Sequence, residues 1–193
     1  MTHSLGVPSG IVASALNAEM RSYPLAGLVI SSIGTEWDKE HRVGMQDMLK
    51  EKPATITFPN DFKDTAMLGS REEGMADPSI YDQTEVLQDV MYFEECAEIQ
   101  TQWLDYWQEY AVKVNVPVMY ALAEKDWLWT VSEQHVRDFA GAFRGSPRVE
   151  SGLVLGTAHC MELSRVGRGW YARAFGFSLE CAVALDLRRR SVL

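Results

Sequence analysis

Three polar side chains, far apart in the sequence, have the types and the order that nucleophilic catalysis requires. Ser4 lies in the pentapeptide T-H-S-L-G (2–6), Asp126 follows an apolar run, and His159 lies in G-T-A-H-C (156–160). A histidine that accepts the serine proton makes the hydroxyl a nucleophile, and a carboxylate fixes the tautomer of that histidine. The sequence therefore predicts Ser4 as nucleophile, His159 as general base and acid, and Asp126 as the orienting carboxylate.

The pentapeptide around Ser4 is similar to a turn that exposes a nucleophilic serine. It matches G-x-S-x-G except at its first position, where Thr2 replaces a glycine. Such a serine lies between a strand and a helix, and small residues two positions away relieve crowding in the turn. Because a helical pattern follows directly after Gly6, we expect the turn here.

Short apolar runs predict the strands that position these loops. The runs cover residues 25–30, 116–122 and, more weakly, 149–155. Continuous apolar runs are typical of parallel strands covered on both faces. The predicted helices cover residues 8–21, 131–143 and 161–185. The alternation of strand and helix predicts the α/β class, with the Asp126 and His159 loops at the carboxyl ends of two strands.

Residues 34–112 differ from the rest of the chain in charge. Their net charge is −12, against +3 for all other residues. We interpret them as an insert whose breaker-rich first part forms short helices joined by loops. A helix start at Asp82 and Glu85, followed by apolar residues at helical spacing up to Ala111, predicts a helical second part. The predicted domains are a core (1–33 and 113–193) and a helical cap (34–112).

The ordered motifs together resemble the C-terminal portion of the α/β-hydrolase superfamily. The resemblance covers nearly the whole chain: T-H-S-L-G for the elbow, L-A-G-L-V-I-S-S-I-G for the next strand, V-P-V-M-Y-A-L-A-E-K-D for the acid and G-T-A-H-C for the histidine. It implies a partial α/β-hydrolase fold with about three parallel strands, flanking helices and a mainly helical cap insert. It also implies that Ser4, Asp126 and His159 form a triad and that the backbone N–H of Leu5 is one oxyanion donor.

The sequence departs from this family before the serine. The family has several strands there, including one that leads into the elbow, and a loop that supplies a second oxyanion N–H. Three residues precede Ser4 here. We therefore expect an internal start or a truncated gene product, an elbow without a supporting strand, and an open apolar edge along residues 25–32. An open edge predicts a homo-oligomer or a complementing chain.

Alternatives to these roles remain open. Glu124 is a second carboxylate in the acid loop, and Asp126 would also suit the cap of a helix that begins near Thr130. Ser4 and His159 also suit purely structural positions. Four further residues that could do chemistry are interpreted as structural: His3, His41, His135 and Cys160.

Three tryptophans are the predicted substrate-binding residues: Trp103, Trp107 and Trp127. Trp103, Trp107 and Tyr110 form a stripe at helical spacing, a pattern more often found in plain core packing. Cap segments of the resembled family, however, line the acyl pocket. The resemblance therefore implies a bulky apolar substrate.

Composition and motifs exclude several other function classes. A net charge of −9 lacks the basic surface that nucleic acid requires. No apolar run approaches the roughly 20 residues that span a bilayer, so no membrane association is expected. Nucleotide, zinc-protease and calcium motifs are absent, so neither a cofactor nor a metal is expected. The absence of paired cysteine spacing and of a signal peptide favours the cytoplasm.

The leading hypothesis is a serine esterase or thioesterase that acts on a bulky apolar small molecule through an acyl-serine intermediate. A first alternative is a truncated, non-catalytic α/β-hydrolase-like protein that binds a small molecule or a partner chain. Loss of a single oxyanion donor already costs about 10²–10³ in rate. A second alternative is a non-hydrolytic cyclase that uses the same pocket.

Overall fold

The computed structural model describes residues 1–86, 89–100 and 102–191. The strands, in chain order, are β1 (Thr2–His3), β2 (Leu28–Ser31), β3 (Thr55–Ile56), β4 (Met91–Tyr92), β5 (Val118–Ala123) and β6 (Val149–Val154). The helices are α1 (Val7–Met20), α2 (Lys39–Glu51), α3 (Asn60–Lys63), α4 (Pro78–Tyr81), α5 (Phe93–Gln100), α6 (Trp103–Ala111), α7 (Glu133–Ala140) and α8 (Gly167–Arg190). Short 3₁₀ turns cover Ser4–Gly6 and Met161–Leu163, and a π-helical turn covers Asp64–Leu68.

A parallel four-stranded sheet with the order β1-β2-β5-β6 forms the centre of the fold. This confirms the predicted α/β class, with one strand more than the three expected. The additional strand is β1, in which Thr2 pairs with Ile30 and His3 with Ser31. The expectation that the elbow lacks a supporting strand is therefore wrong, because two residues suffice to pair with β2.

Helices cover both faces of this sheet. On one face, α1 buries Val7, Ile11 and Ala15, one helical turn apart, in a core shared with α6 and α7. On the other face, α8 buries Trp170 and Phe177 against β2 and β5. The predicted helix over 161–185 is wrong at its beginning: Ser164 is extended, and α8 starts only at Gly167. A Cβ on Gly167 would overlap the backbone of Glu162, so the chain turns back tightly before α8.

Residues 34–112, here called the cap segment, contain α2 to α6 and the antiparallel pair β3–β4. The breaker-rich part around Pro53 to Pro78 contains the short helices α3 and α4, whereas the 13-residue α2 that precedes it was not predicted. The helix predicted from Asp82 is wrong at its beginning, since residues 82–86 form a turn and α5 begins only at Phe93. Tertiary pairing explains the difference, because β3 holds Met91 and Tyr92 in a strand. Residues 87, 88 and 101 of that predicted helix lie outside the described residues.

Candidate active site

Ser4 occupies a sharp turn between β1 and α1. It begins the 3₁₀ turn that leads directly into α1, and its φ is 48°. This left-handed conformation costs a residue other than glycine roughly 1–2 kcal/mol, so neighbouring contacts must hold it. Pairing of β1 with β2 and packing of α1 on the sheet supply those contacts.

Gly10 provides the space that the turn needs. A Cβ added to Gly10 would overlap the methyl group of Thr2 and lie 3.1 Å from its Cβ and Oγ1. Thr2 stands where the G-x-S-x-G pattern has a glycine, and a larger residue there threatens to crowd the turn. The absent side chain of Gly10 accommodates this methyl group, so Thr2 fits beside α1.

His159 joins Ser4 to Asp126 through hydrogen bonds. Its Nε2 lies 2.7 Å from Ser4 Oγ, and its Nδ1 lies 2.9 Å from Asp126 Oδ2 and 3.1 Å from Oδ1. The side chains of His159 and Asp126 are fully buried. Asp126 Oδ1 also accepts a hydrogen bond from the backbone N–H of Leu128 at 3.0 Å, which fixes the carboxylate. The geometry suits a proton relay from the serine to a histidine of fixed tautomer.

Glu124, the second candidate for the orienting carboxylate, does not contact His159 through any described hydrogen bond. Glu124 Oε2 accepts the backbone N–H of Gly156 at 2.7 Å, at an exposed position. Asp126 does not cap a helix either, because α7 begins at Glu133 and Ser132 caps it. Of the two candidate acids, the structure therefore brings Asp126 to His159.

Three other segments hold the loop of His159. The hydroxyl of Ser32, itself buried and left-handed at a φ of 54°, donates to the carbonyl of His159. The N–H of Cys160 donates to the carbonyl of Met67 in the cap segment at 2.7 Å. The N–H of Lys125 donates to the carbonyl of Thr157 at 3.0 Å, which links the acid and histidine loops. The loop is thus fixed from β2, from the cap segment and from the end of β5.

A groove of about 390 Å³ runs beside the elbow between α1 and the cap segment. Its lining consists of Leu5, Pro8, Ser9, Val12, Glu95, Glu98, Ile99, Trp103 and Tyr106. The hydroxyl of Tyr106 donates to Glu98 at 2.8 Å, and this hydrogen bond raises the pKa of Tyr106 to about 12. The volume is in the range of small-molecule sites, with apolar walls and a few polar groups.

The remaining predicted residues have different surroundings. Leu5 lies in the first turn of the 3₁₀ segment, where backbone N–H groups have no intrahelical acceptor, and it borders the groove. Trp103 lines the same groove. Trp127 meets the ring of Phe62 edge-on at 5.6 Å between centroids. Trp107 stacks on Phe139 at 4.7 Å inside the core, so packing explains it better than substrate binding.

Two residues near the triad have contacts that the sequence interpretation missed. His3 Nδ1 lies 3.2 Å from Glu162 Oε2, and the ring centroids of His3 and His159 are 5.2 Å apart. In the sequence, the only signal of a role near the triad was that His3 directly precedes Ser4 and that Glu162 follows His159 by three residues. Cys160, in contrast, remains a protonated thiol, since burial, with the charges of Glu162 and Asp126, raises its pKa to about 12.

No metal site or membrane span is found in the part of the chain that the structure describes. No group of three or more histidine, cysteine, aspartate or glutamate side chains there is arranged to hold a metal ion. None of the described helices is both long and apolar enough to cross a bilayer.

The parallel sheet, the strained serine turn and the order of the loops define the α/β-hydrolase fold, and comparison with solved structures confirms this fold. No protein-family model matches the sequence, and a search of curated proteins finds no match.

Three of the similar solved structures are lipases or esterases. A soluble variant of monoglyceride lipase from Saccharomyces cerevisiae has a TM-score of 0.63 and 12% identity, covering 93% of this chain and 59% of that one. Monoacylglycerol lipase from Paleococcus ferrophilus has a TM-score of 0.60 and 13% identity, covering 93% and 66%. A carboxyl esterase from Bacillus coagulans has a TM-score of 0.58 and 14% identity, covering 95% and 64%. The chain thus spans about three fifths to two thirds of the length of these proteins, and the likeness concerns the fold.

Proposed function

We propose that the protein is a serine hydrolase that cleaves a carboxylic ester or thioester of a bulky apolar small molecule. The observation that carries this proposal is the continuous set of hydrogen bonds from Ser4 through His159 to Asp126. Burial of His159 and Asp126 strengthens their interaction, since the local dielectric is low. A structural role alone does not require a strained serine at the end of this relay.

The reaction proceeds in two acyl transfers. His159 accepts the Ser4 proton while Oγ attacks the substrate carbonyl carbon, and the backbone N–H of Leu5 faces the developing oxyanion. The tetrahedral intermediate collapses to an acyl-serine, and His159 gives its proton to the departing alcohol or thiol. Water then attacks the acyl-serine by the same relay, which releases the carboxylic acid and restores Ser4. Asp126 stabilises protonated His159 in both steps.

The groove beside Leu5 supports an apolar substrate. Its walls combine Pro8, Val12, Ile99 and Trp103, and residues of this kind bind acyl or alkyl chains by removing apolar surface from water. Similar folds in monoglyceride and monoacylglycerol lipases and in a carboxyl esterase favour a neutral ester over other substrates of the fold.

The cap segment is proposed to act as a lid domain over this site. Lys125, beside the acid loop, pairs with Glu73 of the cap segment at 3.2 Å, in addition to the Cys160–Met67 hydrogen bond. Cys160 and Cys181 are free thiols, which supports the proposed location in the reducing cytoplasm.

Ester turnover tests the proposed function. We expect hydrolysis of p-nitrophenyl esters, with medium-length acyl chains preferred to acetate because they fill the groove. Ser4→Ala and His159→Ala should abolish turnover, whereas Ser178→Ala on the exposed side of α8 should retain it. Turnover that persists in both site variants would overturn the proposal. Ligand-dependent thermal stabilisation without any turnover would favour the non-catalytic alternative.

The expected homo-oligomer or complementing chain stays a prediction. Within the described residues β1 pairs with β2 alone, so its other edge is open. Exposed apolar side chains also recur every four residues along α8, at Tyr171, Phe175, Leu179, Val183 and Leu187. Such surfaces favour association. Light scattering at tens of micromolar is expected to show a species larger than the 21.7 kDa chain, and a well-folded monomer would contradict the expectation.

A further inference from the structure

His3 and Glu162 connect the two segments that carry the proposed nucleophile and base. His3 is the residue before Ser4, and Glu162 lies in the 3₁₀ turn that follows the loop of His159. His3 Nδ1 lies 3.2 Å from Glu162 Oε2. A contact at this point therefore fixes the elbow directly against the histidine loop.

Glu162 is itself held in place. Its Oε1 accepts hydrogen bonds from the hydroxyl of Ser31 at 2.6 Å and from the indole N–H of Trp170 at 3.1 Å. Its Oε2 is buried without a well-aligned hydrogen bond among the described residues, and His3 Nδ1 is the ring nitrogen that faces it. Ser31 Oγ also lies 3.1 Å from His3 Nδ1 and so joins both side chains. Glu162 thus forms a fixed anchor to which His3 is attached.

The ionisation of Glu162 agrees with this pairing. Burial raises the pKa of Glu162, but the hydrogen bonding and charge of His3, with the Ser31 hydroxyl, outweigh burial and lower it overall. Other groups that face His3 are the thiol of Cys160, 3.8 Å from Nε2, and the ring of His159 with Asp126 behind it. The thiol is neutral, since burial raises the pKa of Cys160 to about 12. Glu162 is therefore the anionic group in direct contact with His3.

Pairing of β1 with β2 and packing of α1 hold the elbow on the sheet, and the His3–Glu162 contact adds a link to the segment that carries His159. Ser4 is held in a left-handed conformation that is unfavourable without restraint. A displacement of 1 Å in such a site can cost about 10² in rate.

We propose that His3 and Glu162 are positioning residues that hold Ser4 Oγ at hydrogen-bond distance from His159. This inference rests on the proposed serine hydrolase function. The pair does not touch the reacting atoms, and it acts through the backbone next to Ser4 and through the turn after His159.

The kinetic test uses Glu162→Gln, which keeps the size of the side chain and an oxygen for Ser31 and Trp170 but removes the charge facing His3. We expect kcat for a p-nitrophenyl ester to fall about 10- to 100-fold with KM changed less than about threefold. Glu162→Asp, which keeps the charge, should recover part of kcat. Glu109→Gln, at an exposed position of α6, is the matched control and should leave both constants unchanged.

A readout without turnover tests the contact itself. The side-chain carboxyl of Glu162 is titrated by ¹³C NMR in the wild-type protein and in His3→Gln, with Glu162→Gln for assignment. Loss of His3 removes the largest contribution that opposes burial, so the pKa of Glu162 should rise in His3→Gln. An unchanged pKa overturns the pairing. An active protein whose Glu162→Gln variant keeps its kcat overturns only the positioning role, whereas a wild-type protein without turnover overturns the proposed function and this role with it.

Discussion

A methyl group added at Gly10 is expected to disturb the serine without touching it. Gly10 lies in α1, and a Cβ there would overlap the methyl group of Thr2, two residues before Ser4. The N-terminal part of α1 or the strand β1 must therefore move in Gly10→Ala. Because Ser4 lies between these two elements, the movement should lengthen the 2.7 Å distance from Ser4 Oγ to His159 Nε2.

The expected effect of Gly10→Ala on stability is small and its effect on activity is large. Overpacking costs about 1–3 kcal/mol, while alanine gains about 1 kcal/mol over glycine inside a helix. The free energy of unfolding should thus fall by roughly 0–2 kcal/mol. A shift of the elbow by about 1 Å should lower kcat/KM for an ester roughly 100-fold.

Two further variants test whether overlap with the Thr2 methyl group causes the loss of activity in Gly10→Ala. Thr2→Gly removes the overlapping methyl group, so the double variant Thr2→Gly/Gly10→Ala should regain most of the activity lost in Gly10→Ala. Gly176→Ala is the matched control, because it lies inside α8 with no atom within 4 Å of the added Cβ. It should raise the melting temperature and keep the activity. Gly10→Ala, like Gly176→Ala, could instead keep its ester activity and its resistance to urea. In that case the close approach of Gly10 to Thr2 does not hold the elbow.

Three other predictions concern the residues around His159. Asp126→Asn should lower kcat about 10⁴-fold in steady-state assays, because an amide no longer fixes the catalytic tautomer of His159. The melting temperature should stay unchanged, and a loss of kcat below tenfold would contradict this prediction. Ser32→Ala should lower the free energy of unfolding by about 1–3 kcal/mol in urea titrations, since the buried His159 carbonyl loses its donor, and no change would argue against that bond. The pKa of the Cys160 thiol is raised to about 12, so iodoacetamide at pH 8 should alkylate it more than tenfold more slowly in the folded protein than in urea. Peptide mass analysis measures both rates, and equal rates would refute the protonated thiol.

The features that the sequence predicted are those with a local signal. Buried parallel strands leave continuous apolar runs, so β2 and β5 were visible as such, whereas the partly exposed β6 left a weaker run. Catalytic loops follow strand ends, so the order of Ser4, Asp126 and His159 could be read along the chain. The structure then brings these three side chains together in one hydrogen-bonded set.

The features that the sequence missed depend on distant partners. β1 is too short for a periodic pattern, and only its pairing with β2 makes it a strand. The helix expected from Asp82 gave way to the strand pair of residues 55–56 and 91–92, which lie far apart in sequence. The His3–Glu162 contact joins residues 159 positions apart, and neither residue type is unusual at its place.

Every step of the proposed reaction depends on Ser4 being an activated nucleophile. Intact-mass analysis after exposure to a fluorophosphonate measures this without knowledge of the substrate, because the reagent phosphonylates a serine that a base and an oxyanion donor activate. We predict one adduct on the wild-type protein and none on Ser4→Ala or His159→Ala. A folded wild-type protein without an adduct, or an adduct that persists in Ser4→Ala, would contradict the assignment of this site.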